Sequence, residues 1–368
     1  MNGDDDATRT RAADALTAII RRAIESSGAW IGFDRYMALA LYEPGLGYYA
    51  HASTKFGRMP ASGSDFVTAP ELSPLFGQAL AVQVAEALER TGTGAVWEFG
   101  AGSGALAAQL LGALGDRVKR YVIVDVSGTL RARQRERLAA WGDQVEWLHR
   151  LPDSLEGVVV GNEVLDAMPV QLLLRRDGQW LERGVTWTDG GLAWSDRLTD
   201  LRPPVEPEGG HDYLTEVHPQ AKAFVATLAD RLRRGAVFFI DYGFPEREYY
   251  HPQRHMGTLV CHRAHRVDDQ PLDEPGTKDI TAHVDFTGIA LAGQDLGLQV
   301  LGYTSQARFL INCGLPALME AASLPARADA LRLVNEHEMG ELFKVIGFAA
   351  GPGWPARGFA AGDRTHAL

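Results

Sequence analysis

The chain has 368 residues, 46% of them hydrophobic and 23% charged, with a formal net charge of −11. This composition supplies a large apolar core that needs no metal or disulfide, and its negative balance argues against nucleic acid as a main partner. Two cysteines, Cys261 and Cys313, form no disulfide framework, and no apolar run reaches the roughly 20 residues of a membrane span.

Asp4, Asp5 and Asp6 contrast with the basic, acid-poor start of a targeting segment. The expectation is a bacterial cytoplasmic protein; the mitochondrial matrix would require a targeting segment missing from this chain. Leu16, Ile19, Ile20, Ala23 and Ile24 share one helical face, and a second helix is predicted from Phe33 to Leu41. Residues 44–70 read as loop, and Ser73-Pro74 starts a helix running to about Glu89. From there, apolar runs at Ala95–Phe99, Tyr121–Val126, Gln144–His149, Val158–Gly161 and Val237–Asp241 alternate with helical patterns at Ala105–Leu114 and Thr129–Trp141. Near-continuous apolar strands alternating with helices predict a buried, mainly parallel α/β sheet, which Leu298–Thr304 and Leu342–Phe348 complete. Asp177-Gly178 and Asp189-Gly190 mark hairpins of an inserted β-meander, and residues 245–285, dense in His, Arg, Pro and Asp, form a second insertion. The expected organisation is a helical N-terminal region over 1–92, with loop 44–70 over the active site. A core over 93–368 follows, with insertions near 168–215 and 245–285.

The segment VWEFGAGSG (96–104) ends a strand, turns sharply and opens a helix. Glycine suits positive φ and close ligand approach, and the following helix N-terminus offers free N–H groups to an anion. Gly100-x-Gly102-x-x-Ala105 also satisfies the dinucleotide fingerprint. Asp125, at the end of the second strand, can accept both ribose hydroxyls of an adenosine and so supports NAD and S-adenosylmethionine alike. Glu98 separates them: a carboxylate there repels a pyrophosphate but suits the ammonium and sulfonium of S-adenosylmethionine. Asp153 is open between accepting the adenine amino group and capping a short helix. Asp65, Thr68 and Glu71 are open between a lid over the cofactor and a cap for the Ser73 helix.

After the fourth strand, Asn162, Glu163 and Asp166 lie at the topological switch point, where the transferred group should sit. Methyl transfer to nitrogen needs an in-line nucleophile, and a cationic acceptor needs carboxylates to orient it and favour its deprotonation. Glu163 and Asp166 can act on one group if their turn is helical. His251, His255, His262 and His265 lack metal-ligand spacing and read as a docking or packing loop. Asp285 reads as a helix N-cap.

LALYEPGLGYY (39–49), SDFVTAPELSPLFG (64–77), EFGAGSGALA (98–107), NEVLDAMPV (162–170), DYGFPEREYYHPQR (241–254) and DITAHVDFTGIA (279–290) resemble the MidA-like family. This class I methyltransferase family includes the mitochondrial complex I assembly-factor methyltransferase. The resemblance spans about residues 15–349. It implies a Rossmann-like seven-stranded sheet with a reversed last strand, S-adenosylmethionine as cofactor and, from the mitochondrial relatives, a protein arginine as acceptor, with a respiratory-complex subunit as candidate. Gly100, Gly102 and Gly104 would form the cofactor loop and Asp125 the ribose acid. The expected site therefore comprises Glu98, Gly100, Ala101, Gly102, Gly104, Asp125, Asp153, Asn162, Thr68 and Glu71 for the cofactor and Glu163 and Asp166 for catalysis, with no metal. Two other readings are a S-adenosylmethionine-binding assembly chaperone and an NAD-dependent oxidoreductase. Oligomeric state stays open.

Overall fold

A computed structural model describes residues 3–50, 67–125, 128–263 and 266–368. The chain opens with helix α1 (Gly3–Ser26), a two-residue strand β1 (Ile31–Gly32) and helix α2 (Phe33–Tyr42). Leu16, Ile20 and Ile24, one turn apart on α1, are all buried. A single turn, α3 (Ala69–Leu72), precedes α4 (Pro74–Thr91). Ser73 caps α4 by accepting the Leu75 N–H, and Gly92 closes it in the left-handed conformation.

Strand–helix alternation follows: β2 (Ala95–Phe99), α5 (Ala105–Leu114), β3 (Arg120–Val124), α6 (Gly128–Arg137), β4 (Val145–Leu148) and β5 (Leu155–Asn162). The chain then builds β6 (Gln171–Arg176), β7 (Gln179–Thr188), β8 (Gly191–Leu198) and β9 (Tyr213–Val217) before α7 (Pro219–Arg231) and β10 (Leu232–Phe244). A second excursion holds α8 (Glu246–Tyr249), β11 (Val260–Arg263), β12 (Arg266–Asp268), β13 (Asp279–Thr281) and β14 (Val284–Asp285). Helix α9 (Phe286–Gln294), β15 (Leu298–Ser305), α10 (Gln306–Asn312), α11 (Leu315–Ala321), α12 (Leu324–Val334) and β16 (Phe343–Ala350) complete the described elements.

The central sheet runs β4-β3-β2-β5-β10-β16-β15, with β14 a short addition against β10. Its first five strands are parallel, and β16 runs antiparallel to both neighbours, as expected of a class I methyltransferase sheet. Side chains alternate between two apolar layers: Val158, Val160, Phe238 and Ile240 on one face, Trp97, Val159, Val237 and Phe239 on the other. Because β5 returns beside β2, the crevice of the switch point opens at their carboxyl ends.

The inserted hairpins fall where the Asp-Gly pairs place them, with Asp177 and Gly178 both at positive φ in the turn between β6 and β7. The sheet is larger than a meander, however. Strand β9 adds beside β6, and β1 adds to β7. The second insertion is also more ordered than a loop, with β11 between β12 and β13. Helical pattern 129–141 is split: α6 ends at Arg137 and a 3-10 turn follows, with Gly142 breaking it. Both insertions share one core with the N-terminal region, in which Leu16, Ile20, Phe33, Val170, Val185, Cys261 and Ile280 pack together.

Candidate active site

Strand β2 delivers its last residues to the crevice, and Gly100, Gly102 and Gly104 follow at φ of 63°, 52° and 81°. Such values favour glycine, and Gly104 is the N-cap from which α5 starts. A Cβ on Gly100 would stand 3.0 Å from Val164, so the loop also lies tight against the turn after β5. Gln134 of α6 fastens this loop to the neighbouring strand. Its buried amide donates to the Gly102 carbonyl and to Asp125 Oδ2, both at 2.9 Å, and its oxygen accepts from Trp147 Nε1 at 3.0 Å. Glu98 is buried and accepts the Tyr121 hydroxyl at 2.7 Å. Burial raises its pKa to about 8, against the lowering effect of that hydrogen bond. From the other side, Glu71 accepts the Ser103 hydroxyl and, at 2.9 Å, Arg137 Nη1.

The turn after β5 is not helical. Glu163 has φ of 54°, and its N–H donates to the Ile240 carbonyl at 2.9 Å. Asp241, at the end of β10, holds the following backbone: its Oδ2 accepts the N–H groups of Val164, Leu165 and Asp166 at 3.1, 2.9 and 3.3 Å. The turn therefore takes its shape from a carboxylate 75 to 77 residues away in sequence. Asn162 donates to Glu163 Oε1 at 2.9 Å while its own Oδ1 is buried without a partner. Burial, then the neighbouring Asp166, raises the Glu163 pKa to about 8. Burial raises Asp166 to about 6, opposed by the hydroxyl that Tyr242 donates to it.

These groups open onto one cavity of about 930 Å³, spanning the crevice and the face of the lobe formed by the N-terminal region and the insertions. The lobe contributes Tyr42, Tyr49, His262, Asp279 and His283. Tyr49 donates to Asp279 Oδ1 at 2.7 Å and stacks on Tyr42, whose hydroxyl donates to the Ala167 carbonyl at 2.8 Å. Burial lowers the His283 pKa to about 4, leaving the ring neutral near pH 7. Six carboxyl groups line the cavity, from Glu71, Glu98, Asp125, Glu163, Asp166 and Asp279. No lysine or arginine among the described residues does. No group of three or more potential metal ligands occurs among the described residues.

The donor set fits S-adenosylmethionine: a glycine cradle, a ribose acid held by Gln134, and a buried carboxyl at Glu98 for a cationic headgroup. Residues 79–304 match the family described as "Putative S-adenosyl-L-methionine-dependent methyltransferase". A crystal structure from Burkholderia thailandensis, bound to S-adenosyl-homocysteine, is 50% identical with a TM-score of 0.94, covering 100% of this chain and 99% of that one. The chain belongs to this methyltransferase family. Its cofactor is S-adenosylmethionine, and the dinucleotide reading of the glycine turn is set aside. The zebrafish protein arginine methyltransferase NDUFAF7, mitochondrial, is 28% identical, with 86% of this chain and 82% of that protein covered. The human protein of the same name is 27% identical, over 88% of this chain and 80% of that protein.

In this methyltransferase the predicted residues Thr68, Glu71, Glu98, Gly100, Ala101, Gly102, Asp125, Asn162, Glu163 and Asp166 all line the cavity. Gly104 stands behind them as the helix N-cap. Asp153 is exposed and outside the cavity wall, and the segment leads into β5 rather than a helix, so it caps no helix. Asp65 and His265 lie outside the described residues. Asp285 is the N-cap of α9, accepting the Gly288 N–H at 3.0 Å. Sequence reasoning missed Gln134, Tyr42, Tyr49, Tyr242 and Asp279 as site residues. Gln134 is hidden in an arginine-rich helix with no motif of its own. The other four come from three separate segments that only the fold joins. Among the described residues no helix is long and apolar enough to cross a membrane.

Proposed function

We propose that this methyltransferase acts on a protein, at a guanidinium nitrogen of arginine. One observation carries the reading: the cavity wall holds six carboxyl groups and, among the described residues, no lysine or arginine. A guanidinium remains charged in proteins and presents its N–H groups as a planar fork, which carboxylates accept in pairs. The bound cofactor supplies an electrophilic methyl group. Glu163 and Asp166 then have two tasks, holding the fork so that one nitrogen faces the cofactor and taking the proton that the methylated nitrogen sheds. A carboxyl with a pKa near 8 can exchange that proton around neutral pH, whereas an ordinary solvent-exposed glutamate binds it too weakly. The curated mitochondrial relatives carry the name protein arginine methyltransferase, which supports the same acceptor. By the family resemblance, the protein acceptor is a respiratory-complex subunit.

The test is incorporation of labelled methyl groups into a cell extract, followed by amino-acid analysis for methylarginines. Glu163→Gln should keep cofactor binding and lose about 10²- to 10⁴-fold in turnover. Label recovered in another residue type, or normal turnover in that variant, would overturn the reading.

A further inference from the structure

The acid pair after β5 is one wall of the acceptor space, and Asp279 stands on another. Strand β13 pairs with β11, placing Asp279 opposite His262, and both line the cavity. Neighbouring side chains on a strand point to opposite faces. Ile280 accordingly packs into the core behind, while Lys278, just before the strand, turns to Asp268 at 3.0 Å and to the Gln270 carbonyl at 2.9 Å and does not line the cavity. The Tyr49 hydroxyl fixes the Asp279 carboxylate at 2.7 Å, and Tyr49 is itself braced by its stack on Tyr42. Tyr42 in turn is anchored to the Ala167 carbonyl, one residue past Asp166. The second backbone link closes the loop: the Ala282 N–H, three residues after Asp279, donates to the Asp166 carbonyl at 3.0 Å. Asp279 is near enough to push the pKa values of Glu163 and Tyr42 up electrostatically.

Resting on the arginine reading above, we propose that Asp279 is the specificity-determining residue for the acceptor's positive charge. It accepts the N–H edge of the guanidinium that Glu163 and Asp166 leave uncovered. Five N–H groups in a plane cannot all be met from one wall, and a carboxylate on a second element supplies the missing direction. Asp279 stands on β13 of the three-stranded insertion sheet, whereas the glycine loop, Asp125 and Gln134 belong to β2, β3 and the segments that follow them in the central sheet.

The experiment is calorimetric titration of the full chain with three probes. They are S-adenosyl-homocysteine, an analogue with nitrogen in place of sulfur bearing a short alkyl guanidine, and the same analogue bearing a neutral urea. The wild type should prefer the guanidine to the urea by about tenfold or more, the worth of a hydrogen bond to a charged group. Asp279→Asn should lower that preference to within about threefold while S-adenosyl-homocysteine binds as before. Tyr49→Phe, which removes one hydrogen bond that aims the carboxylate, should fall between the two. No preference in the wild type would overturn the arginine reading, and this assignment with it. Full preference retained in Asp279→Asn would leave arginine standing and overturn the assignment of Asp279. A parallel loss of affinity for all three probes would mark a purely structural role and also overturn it. Should Asp279→Asn not fold, Tyr49→Phe decides alone, and a preference equal to wild type overturns the assignment.

Discussion

The proposed cofactor half and the proposed acceptor half of the cavity are built by different means. Residues 98–104 and Asp125 come from two adjacent parallel strands and the turns that follow them, and Gln134 joins them across one helix. The proposed acceptor half draws Tyr42, Tyr49, Asp166, Tyr242 and Asp279 from the N-terminal region, the switch-point turn, β10 and the second insertion. A ligand shared by a whole fold class can be held by a local unit. A specific acceptor is recognised by the parts that vary between members of the class, which are insertions and termini.

Three perturbations should separate the halves. The largest effect is expected from Gly102→Val. A β-branched residue at φ of 52° is strained, and the loop it distorts should lose cofactor affinity by about 100-fold or more, read by calorimetry, with the far-ultraviolet spectrum unchanged. Cofactor binding equal to wild type would break the assignment of the glycine cradle.

Asp241→Ala strikes the other half. Removing its carboxylate leaves three amides of the 164–166 turn, two of them buried, without this partner, which should cost about 2–4 kcal/mol in denaturant unfolding. Turnover should fall with it, while cofactor affinity in the folded fraction stays within about threefold. A larger loss of cofactor binding than of turnover would show that the two halves are not independent.

The smallest effect is in the pH dependence of the unliganded protein. Glu98 and Glu163 both have folded pKa values near 8, above their values in an unfolded chain. A carboxyl raised in this way binds more protons folded than unfolded between those two values. Its stabilising contribution is complete below the unfolded pKa, near 4.5, and is lost as pH rises through about 8. The melting temperature should therefore drop between pH 6 and pH 9, and the drop should be smaller in Glu163→Gln, whose amide does not ionise. An unchanged profile in that variant would assign the titration elsewhere.

What the sequence disclosed follows the same division. Glu98, the three glycines and Asp125 each carry a local signal, because a strand end followed by a turn and a helix has composition requirements of its own. Glu163 and Asp166 are legible by position, at the end of the fourth strand, although the turn begins with Glu163 in a left-handed conformation rather than as a helix. That shape depends on Asp241, and no spacing rule connects two residues on neighbouring strands before their register is known. Asp153 misled because a polar residue after an apolar run resembles a cap whether or not a helix follows. In the 279–290 segment, Asp285 serves as the helix cap its context predicts, while Asp279, which carries no such signal, faces the cavity. Telling them apart takes the pairing of β13 with β11.

The core shared by Leu16, Ile20 and Phe33 with Val185 and Ile280 also bears on biogenesis. At roughly 5–20 residues per second, the ribosome needs on the order of tens of seconds to add the stretch between the first helix and the last of these partners. Throughout that interval the apolar faces of α1 and α2 have no complete surface to cover them, and until Thr188 has been added β1 lacks β7 to pair with. The nascent amino terminus thus exposes apolar surface until residues near 280 have been added, and the cavity wall that holds Asp279 cannot form before then.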